Sequence, residues 1–94
     1  MTNVAFHDYE RAIIDAWHHL PCTRGRPSSR DHALLRDLHC QGVSLRLILA
    51  AFRLAALRRS RDLPPVRSIA YFKSVIDELA LADSDYIDYL SAHP

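Results

Sequence analysis

The chain has 94 residues, of which 49% are hydrophobic and 24% are charged. This composition is typical of a globular protein and excludes a disordered polar chain, and the length predicts a single domain over residues 1–94 with one modest core. The net charge of +1 excludes a uniformly basic or acidic protein, but it conceals an uneven distribution of charge along the chain.

The first predicted helix runs from about Ala5 to Leu20. Its apolar residues recur at three- and four-residue intervals, the spacing of a helix with one buried face: Phe6, Tyr9, Ile13, Ala16, Trp17 and Leu20. Trp17 is predicted to lie in the core. Pro21 ends the helix, and the loop over residues 22–28 then contains a glycine, a proline and two arginines.

The second predicted helix spans about Arg30 to Gln41. Its apolar face is formed by three leucines: Leu34, Leu35 and Leu38. Either Ser28 or Ser29 is expected to cap its first turn, because a serine hydroxyl accepts a hydrogen bond from an otherwise unpaired N–H. Gly42 is expected at the helix end, where a positive φ is needed, and Ser44 is expected to cap the next helix.

The third predicted helix, Leu45 to about Arg59, is apolar on nearly every side. Arg46 and Arg53 are the charged interruptions within it. A helix of this kind is packed by neighbours on several sides, so we expect it at the centre of the fold. The following prolines at positions 64 and 65 prevent the helix from continuing.

A fourth helix is predicted from Ser68 to about Leu81, with its apolar residues inward: Ile69, Phe72, Val75, Ile76 and Leu79. A short last helix, Asp85 to Ser91, is expected to be capped by Asp83 or Ser84 and to dock on the bundle or on a partner. The sequence contains no Asn-Gly or Asp-Gly turn and no alternating apolar pattern of the kind typical of hairpins. The predicted fold is therefore all-α, a compact bundle of four to five short helices around the central apolar helix at about residues 45–59.

The charges divide the chain into three blocks. Ten arginines between Arg24 and Arg67 stand against three aspartates, so this middle block carries +7. Residues 1–23 have one arginine against three acids, giving −2, and residues 68–94 have one lysine against five acids, giving −4. Clustered arginine attracts phosphate or carboxylate surfaces, so the pattern indicates binding rather than catalysis.

No catalytic site, metal or cofactor is predicted. Cys22 and Cys40 are too few for a disulfide-stapled secreted domain and are expected as small, buried, reduced thiols, although the sequence leaves one bridge between them open. A zinc site would need these cysteines together with the histidines near them, His18, His19 and His39. The spacing of these residues fits no structural zinc module. The sequence shows no signal-peptide pattern and no apolar run of about 18 residues, so we expect a cytoplasmic protein with no membrane partner.

Gly42-Val43-Ser44 between two helices has the sequence of a helix-turn-helix turn. A recognition helix needs several polar side chains near its start to reach base edges. Apolar residues hold those positions and leave Arg46 alone: Leu45, Leu47, Ile48 and Leu49. We therefore favour a tight turn that leads into the core helix over base-specific reading of DNA.

Several short patterns between about residues 24 and 80 resemble a known family. They are Pro27-Ser28-Ser29-Arg30-Asp31, Leu34-Leu35, Gly42-Val43-Ser44-Leu45 followed by Ile48, and Ser68-Ile69-Ala70-Tyr71-Phe72 leading to Val75-Ile76. Together they resemble the DnaD-like domain of bacterial primosome and phage replication proteins. This resemblance implies an all-helical domain that binds DNA with little sequence preference and assembles with replication or transposition proteins. Leu79 stands where that family usually has tryptophan, and an acidic end replaces its frequent lysine-rich tail.

The first functional hypothesis is a small accessory protein, not an enzyme, that holds the nucleic-acid backbone. The candidate phosphate contacts are arginines around the first loop, at residues 22–28, and around a second loop between the third and fourth predicted helices: Arg24, Arg26, Arg30, Arg58, Arg59, Arg61 and Arg67. Each neutralised phosphate would make binding weaker as salt rises. Cations also stabilise a helix C-terminus, which offers a purely structural explanation for Arg58 and Arg59.

The second hypothesis is a protein-only adaptor or assembly subunit. In it, the basic middle block of one copy meets the acidic end of another copy or an acidic partner. In both hypotheses the last helix is the predicted protein contact, because exposed tyrosines are enriched at interfaces. The predicted contact residues are Asp85, Tyr86, Asp88 and Tyr89.

Overall fold

The fold is an all-α bundle, as predicted. A computed structural model describes residues 5–60, 62–82, 85–87 and 89. It contains four α-helices, α1 (Phe6–His19), α2 (Ser29–Cys40), α3 (Leu45–Arg58) and α4 (Lys73–Ala80), and a 3-10 helix, Ile69–Phe72, that leads directly into α4. The backbone is also helical at residues 85–87 and 89. The Cα radius of gyration is 12.6 Å, close to the roughly 12 Å expected for a globular chain of this length.

Helix α3 lies at the centre of the bundle and packs against α1, α4 and the 3-10 helix. Its buried residues combine large side chains with alanines that let neighbouring helices approach closely: Ile48, Ala50, Ala51, Phe52, Leu54 and Ala55. The Phe52 ring lies 4.5 Å from that of Phe72, measured between centroids. Leu57 differs from the expectation for this helix, because its place in the last turn leaves it 69% exposed.

Serine hydroxyls begin three of the helices, each at a predicted position. Of the two serines considered for α2, Ser28 is the cap, and its hydroxyl accepts from the Asp31 N–H. Ser44 accepts from the Leu47 N–H at the start of α3. Ser68 accepts from the Ala70 N–H, and the tight turn that follows is a 3-10 helix rather than the first turn of one long α-helix. Gly42 has a φ of +79°, as expected of the residue after α2.

Asp31 is a buried carboxylate that joins the start of α2 to the start of the 3-10 helix. It is 1% exposed. Its Oδ2 accepts from the backbone N–H of Ser28 at 2.8 Å, which completes a capping box. Its Oδ1 accepts from the Ser68 hydroxyl at 2.9 Å and from the Ile69 N–H at 3.0 Å. One side chain therefore satisfies unpaired groups at two helix starts and fixes the segment before α4.

Trp17 is fully buried, as predicted, and it also holds the first loop in place. Its Nε1–H donates to the Gly25 carbonyl at 3.0 Å. Its own carbonyl accepts from the buried hydroxyl of Thr23 at 2.6 Å. The loop after α1 is thus tied to the core at both Thr23 and Gly25.

The expectation of buried thiols is wrong for Cys40, which is exposed near the end of α2. Cys22 is half-buried, and both cysteines are free. None of the helices within the described ranges has the length and apolar character needed to cross a membrane.

Candidate nucleic-acid interface

Two loops from distant parts of the sequence run side by side and bring Arg24 next to Arg67. Thr23 and Val66 form a parallel β-bridge. The Val66 N–H donates to the Cys22 carbonyl at 2.7 Å, and the Arg24 N–H donates to the Val66 carbonyl at 2.9 Å.

The direction of the two arginines follows from this bridge. Thr23 and Val66 are buried, and successive side chains of extended backbone point to opposite sides. Arg24 and Arg67 therefore both point to solvent, on neighbouring segments that such pairing holds about 5 Å apart. Both residues are exposed.

Arg59 lines two adjoining open pockets, one shared with Arg24 and the other with Arg67. We call the two pockets together the arginine groove. Its first section lies between residues 21, 22 and 24, the last turn of α3 and residues 59, 60, 63 and 65, and it is lined by Arg24 and Arg59. Its second section follows residues 63–68 to Tyr71, and it is lined by Arg59 and Arg67. The sections have volumes of about 700 and 440 Å³, and Arg59 lies where they meet.

Arg59 and Tyr71 form a pair within the second section. The Arg59 Nη1 donates to the Tyr71 hydroxyl at 2.9 Å, and its guanidinium carbon lies 5.2 Å from the centre of the Tyr71 ring. The tyrosine is 46% exposed, so part of its ring stays accessible to a ligand. The pair holds a cation and an aromatic face together at one place in the groove.

The groove also has apolar walls. Leu57 is 69% exposed and Leu63 is 51% exposed, and both line its first section. Pro65 belongs to both sections. The lining residues of the two sections include no aspartate or glutamate within the described part of the chain. The surface is therefore cationic and partly apolar, which suits a ligand with both anionic and apolar groups.

Arg58 has a different environment from its neighbour Arg59. Its two terminal nitrogens donate to the two carboxylate oxygens of Glu78 on α4, at 2.9 and 2.8 Å. The hydrogen bonds from Arg58 lower the pKa of Glu78, and the same bonds raise the pKa of the guanidinium. This bidentate pair joins α3 to α4 and neutralises a charge that we predicted for phosphate binding.

Two more of the predicted arginines lie outside the lining of the groove. Arg26 and Arg30 are exposed, one on the first loop and one in the first turn of α2, and neither belongs to the lining of the groove. Arg61 lies outside the described residues. The structure thus groups Arg24, Arg59 and Arg67 along the groove and leaves Arg26, Arg30 and Arg58 outside its lining.

The predicted protein-contact residues lie after α4. Asp85 is exposed, Tyr86 is 40% exposed and Tyr89 is 58% exposed, while Asp88 lies outside the described residues. Tyr86 is close enough to Arg58 to interact with it electrostatically. Within the described ranges, no group of three His, Cys, Asp or Glu side chains is close enough to hold a metal ion.

Sequence reasoning missed three residues of the groove: Leu57, Leu63 and Tyr71. Leu57 and Tyr71 both stand at positions that fit the apolar pattern of a helix, and that pattern predicts burial rather than a place on a groove. Both side chains are exposed because Leu57 lies in the last turn of α3 and Tyr71 follows the second loop. An apolar pattern does not show where a helix ends at a loop.

Comparison with known proteins gives no relative for this chain, since no family model, curated protein or solved structure matches it. The resemblance to the DnaD-like domain remains a prediction that rests on the short patterns quoted above.

Proposed function

We propose that this chain is a small accessory protein, not an enzyme, that binds the nucleic-acid backbone through the arginine groove. The observation that carries the proposal is the convergence of Arg24, Arg59 and Arg67 on one open surface. Arginine is suited to this task because its planar guanidinium matches phosphate geometry and stays charged at every physiological pH.

The form of the groove supports backbone binding with little sequence preference. Contacts to phosphate position a protein but carry no sequence information. Arg46 is exposed at the start of α3, whereas the residues that follow it pack towards the core. The helix that would read bases in a helix-turn-helix protein is here the central helix of the bundle, so phosphate contacts are the favoured mode.

The biological setting of this activity follows from the resemblance alone. It suggests a cytoplasmic nucleoprotein complex in replication or in the transposition of a mobile element. A partner protein in that complex is expected to contact the last helix, where Tyr86 and Tyr89 are exposed.

A comparison of neighbouring arginines tests the proposal. Arg59→Ala and Arg58→Ala remove the same charge from adjacent residues, but Arg59 lines the groove and Arg58 is paired with Glu78. We expect Arg59→Ala to weaken binding of fluorescently labelled DNA at low salt by about fivefold or more, and Arg58→Ala to change it by less than about twofold. These estimates assume one lost charge-assisted contact of roughly 1 kcal/mol or more. Equal losses from the two variants would show that the groove is not the binding surface.

The second candidate function is a protein-only adaptor or assembly subunit. The observation that favours it is the apolar wall at Leu57 and Leu63, because a duplex backbone offers little to cover exposed leucine side chains. A chain that binds no DNA at low salt but captures an acidic protein through the same arginines would support this candidate over the first.

A further inference from the structure

The C-terminal segment, residues 82–94, has the opposite character to the arginine groove. It contains three aspartates and two tyrosines and no lysine or arginine. In its described part, Asp85 is exposed and both tyrosines are at least 40% exposed. Asp85, Tyr86 and Tyr89 are therefore presented to solvent beyond the end of α4.

The described residues of this segment, 82, 85–87 and 89, are not among those that line the groove of their own chain. The groove is lined by residues from the first loop, the end of α3, the second loop and Tyr71, and by none of the described residues after α4. Tyr86 lies instead near Arg58, on the side where α3 meets α4. The described part of this segment therefore does not fill the groove of its own chain.

The two surfaces match in charge and in apolar character. The groove offers three guanidinium groups beside exposed Leu57 and Leu63. The segment offers carboxylates at positions 83, 85 and 88, interspersed with tyrosine, isoleucine and leucine. Opposite charges set the register of such a contact, and aromatic side chains supply buried apolar area.

We propose that the C-terminal segment of a second copy occupies the arginine groove, so that self-association and nucleic-acid binding exclude each other. The exclusion rests on the proposed function, whereas the self-association does not. Each copy has one groove and one segment, so two copies can exchange segments in a closed dimer, and more copies can link head-to-tail into rings or short chains. A segment this short buries less than about 1,200 Å², which places the contact among weak, concentration-dependent interfaces.

Charge reversal tests this pairing by sedimentation velocity at about 50 and 500 mM NaCl. The groove variant carries Arg24→Glu and Arg67→Glu, two exposed positions, and leaves the Arg59–Tyr71 pair in place. The segment variant carries Asp85→Lys and Asp88→Lys. A matched control, Asp15→Lys with Asp37→Lys, makes the same charge change at exposed positions on α1 and α2. Thermal unfolding followed by circular dichroism confirms that each variant is folded.

We expect the wild-type chain and the control to associate at low salt and to dissociate at high salt. Each reversed variant alone should be monomeric, because its groove and its segment then carry charge of the same sign and repel each other. An equimolar mixture of the two variants should associate again, since the groove of one then complements the segment of the other. A wild-type chain that stays monomeric at low salt up to about 1 mM overturns the proposal, as does association that persists in either reversed variant.

DNA binding by the same proteins separates this proposal from the proposed function. The segment variant should bind DNA at least as tightly as wild type, because its groove is intact and no longer competed for. Added DNA should dissociate wild-type assemblies. Self-association with no DNA binding would refute the proposed function alone, and DNA binding by a strictly monomeric chain would refute the self-association alone.

Discussion

Replacing Asp31 with alanine should destabilise the fold more than any change to an exposed acid. The carboxylate accepts four hydrogen bonds, two from Ser28 and one each from Ser68 and Ile69, at 2.8 to 3.3 Å. In the alanine variant the hydroxyls can turn to other partners, but the buried Ile69 N–H loses its acceptor. An unsatisfied buried donor costs about 1–3 kcal/mol, and loss of the Asp31 half of the capping box, its bond to the Ser28 N–H, costs about 0.5–1.5 kcal/mol more.

The two costs together give a loss of about 3 kcal/mol in the free energy of unfolding. For a domain of this size that corresponds to a fall in Tm of roughly 12–24 °C. Asp31→Asn should cost less, about 1–2 kcal/mol, because one amide oxygen still accepts while the amide NH₂ must face a donor. Asp37→Ala provides the control, since Asp37 is an exposed acid on the same helix and should change stability by less than about 0.5 kcal/mol.

Urea unfolding followed by circular dichroism measures all three variants. The reasoning would be refuted if Asp31→Ala lost less than about 1 kcal/mol, or if Asp31→Ala and Asp37→Ala were equally destabilised. A cost for the asparagine variant equal to that for alanine would show that the charge, rather than the number of acceptor oxygens, determines the contribution of this site.

Three further predictions concern single groups. Burial raises the pKa of Tyr9 to about 12. The free energy of unfolding should therefore keep its full tyrosine contribution below about pH 10 and fall as the pH rises towards 12. Tyr9→Phe should remove this loss in alkaline unfolding curves. Gly42→Ala should cost about 1 kcal/mol in urea unfolding despite open space around the Cβ, because the φ of +79° strains an L-residue, and Gly42→Asn should cost less. The hydrogen bonds from Arg58 hold the pKa of Glu78 below its ordinary value, so an NMR titration of the Glu78 carboxyl should move upward in Arg58→Ala, and no movement would contradict the pairing.

The helices were predictable because their signals are local. Ser28, Ser44 and Ser68 act on N–H groups within the next three residues, and Gly42 needs its positive φ whatever lies elsewhere in the fold. The central place of α3 was likewise predictable, since a helix that is apolar on nearly every side has to be covered by neighbours.

The groove was not predictable, because it depends on contacts between distant residues. The pairing of Thr23 with Val66 places Arg24 beside Arg67, and no local pattern encodes it. Sequence reasoning treated the arginines as one belt. In the structure the arginines have different partners, since Arg58 forms an ion pair with Glu78 and Arg59 lines the groove.

Asp31 shows the same limit for a structural residue. In the sequence it is one acid among ten arginines and reads as an offsetting surface charge. Its burial depends on the approach of Ser68 and Ile69, which follow α3 in the sequence and meet Asp31 only in the folded chain.

The salt dependence of DNA binding tests the central claim most directly. Fluorescence anisotropy with labelled single- and double-stranded DNA should show wild-type affinity falling with salt on logarithmic axes, with a slope of about −2.1 on single strands and −2.7 on duplex for three phosphate contacts. On duplex this predicts a loss of about 40-fold between 50 and 200 mM salt. The variant Arg24→Ala/Arg59→Ala/Arg67→Ala should lose both the affinity and the slope. No binding by the wild-type chain at 50 mM salt, or a slope unchanged in the triple variant, would contradict the assignment of the arginine groove as the nucleic-acid interface.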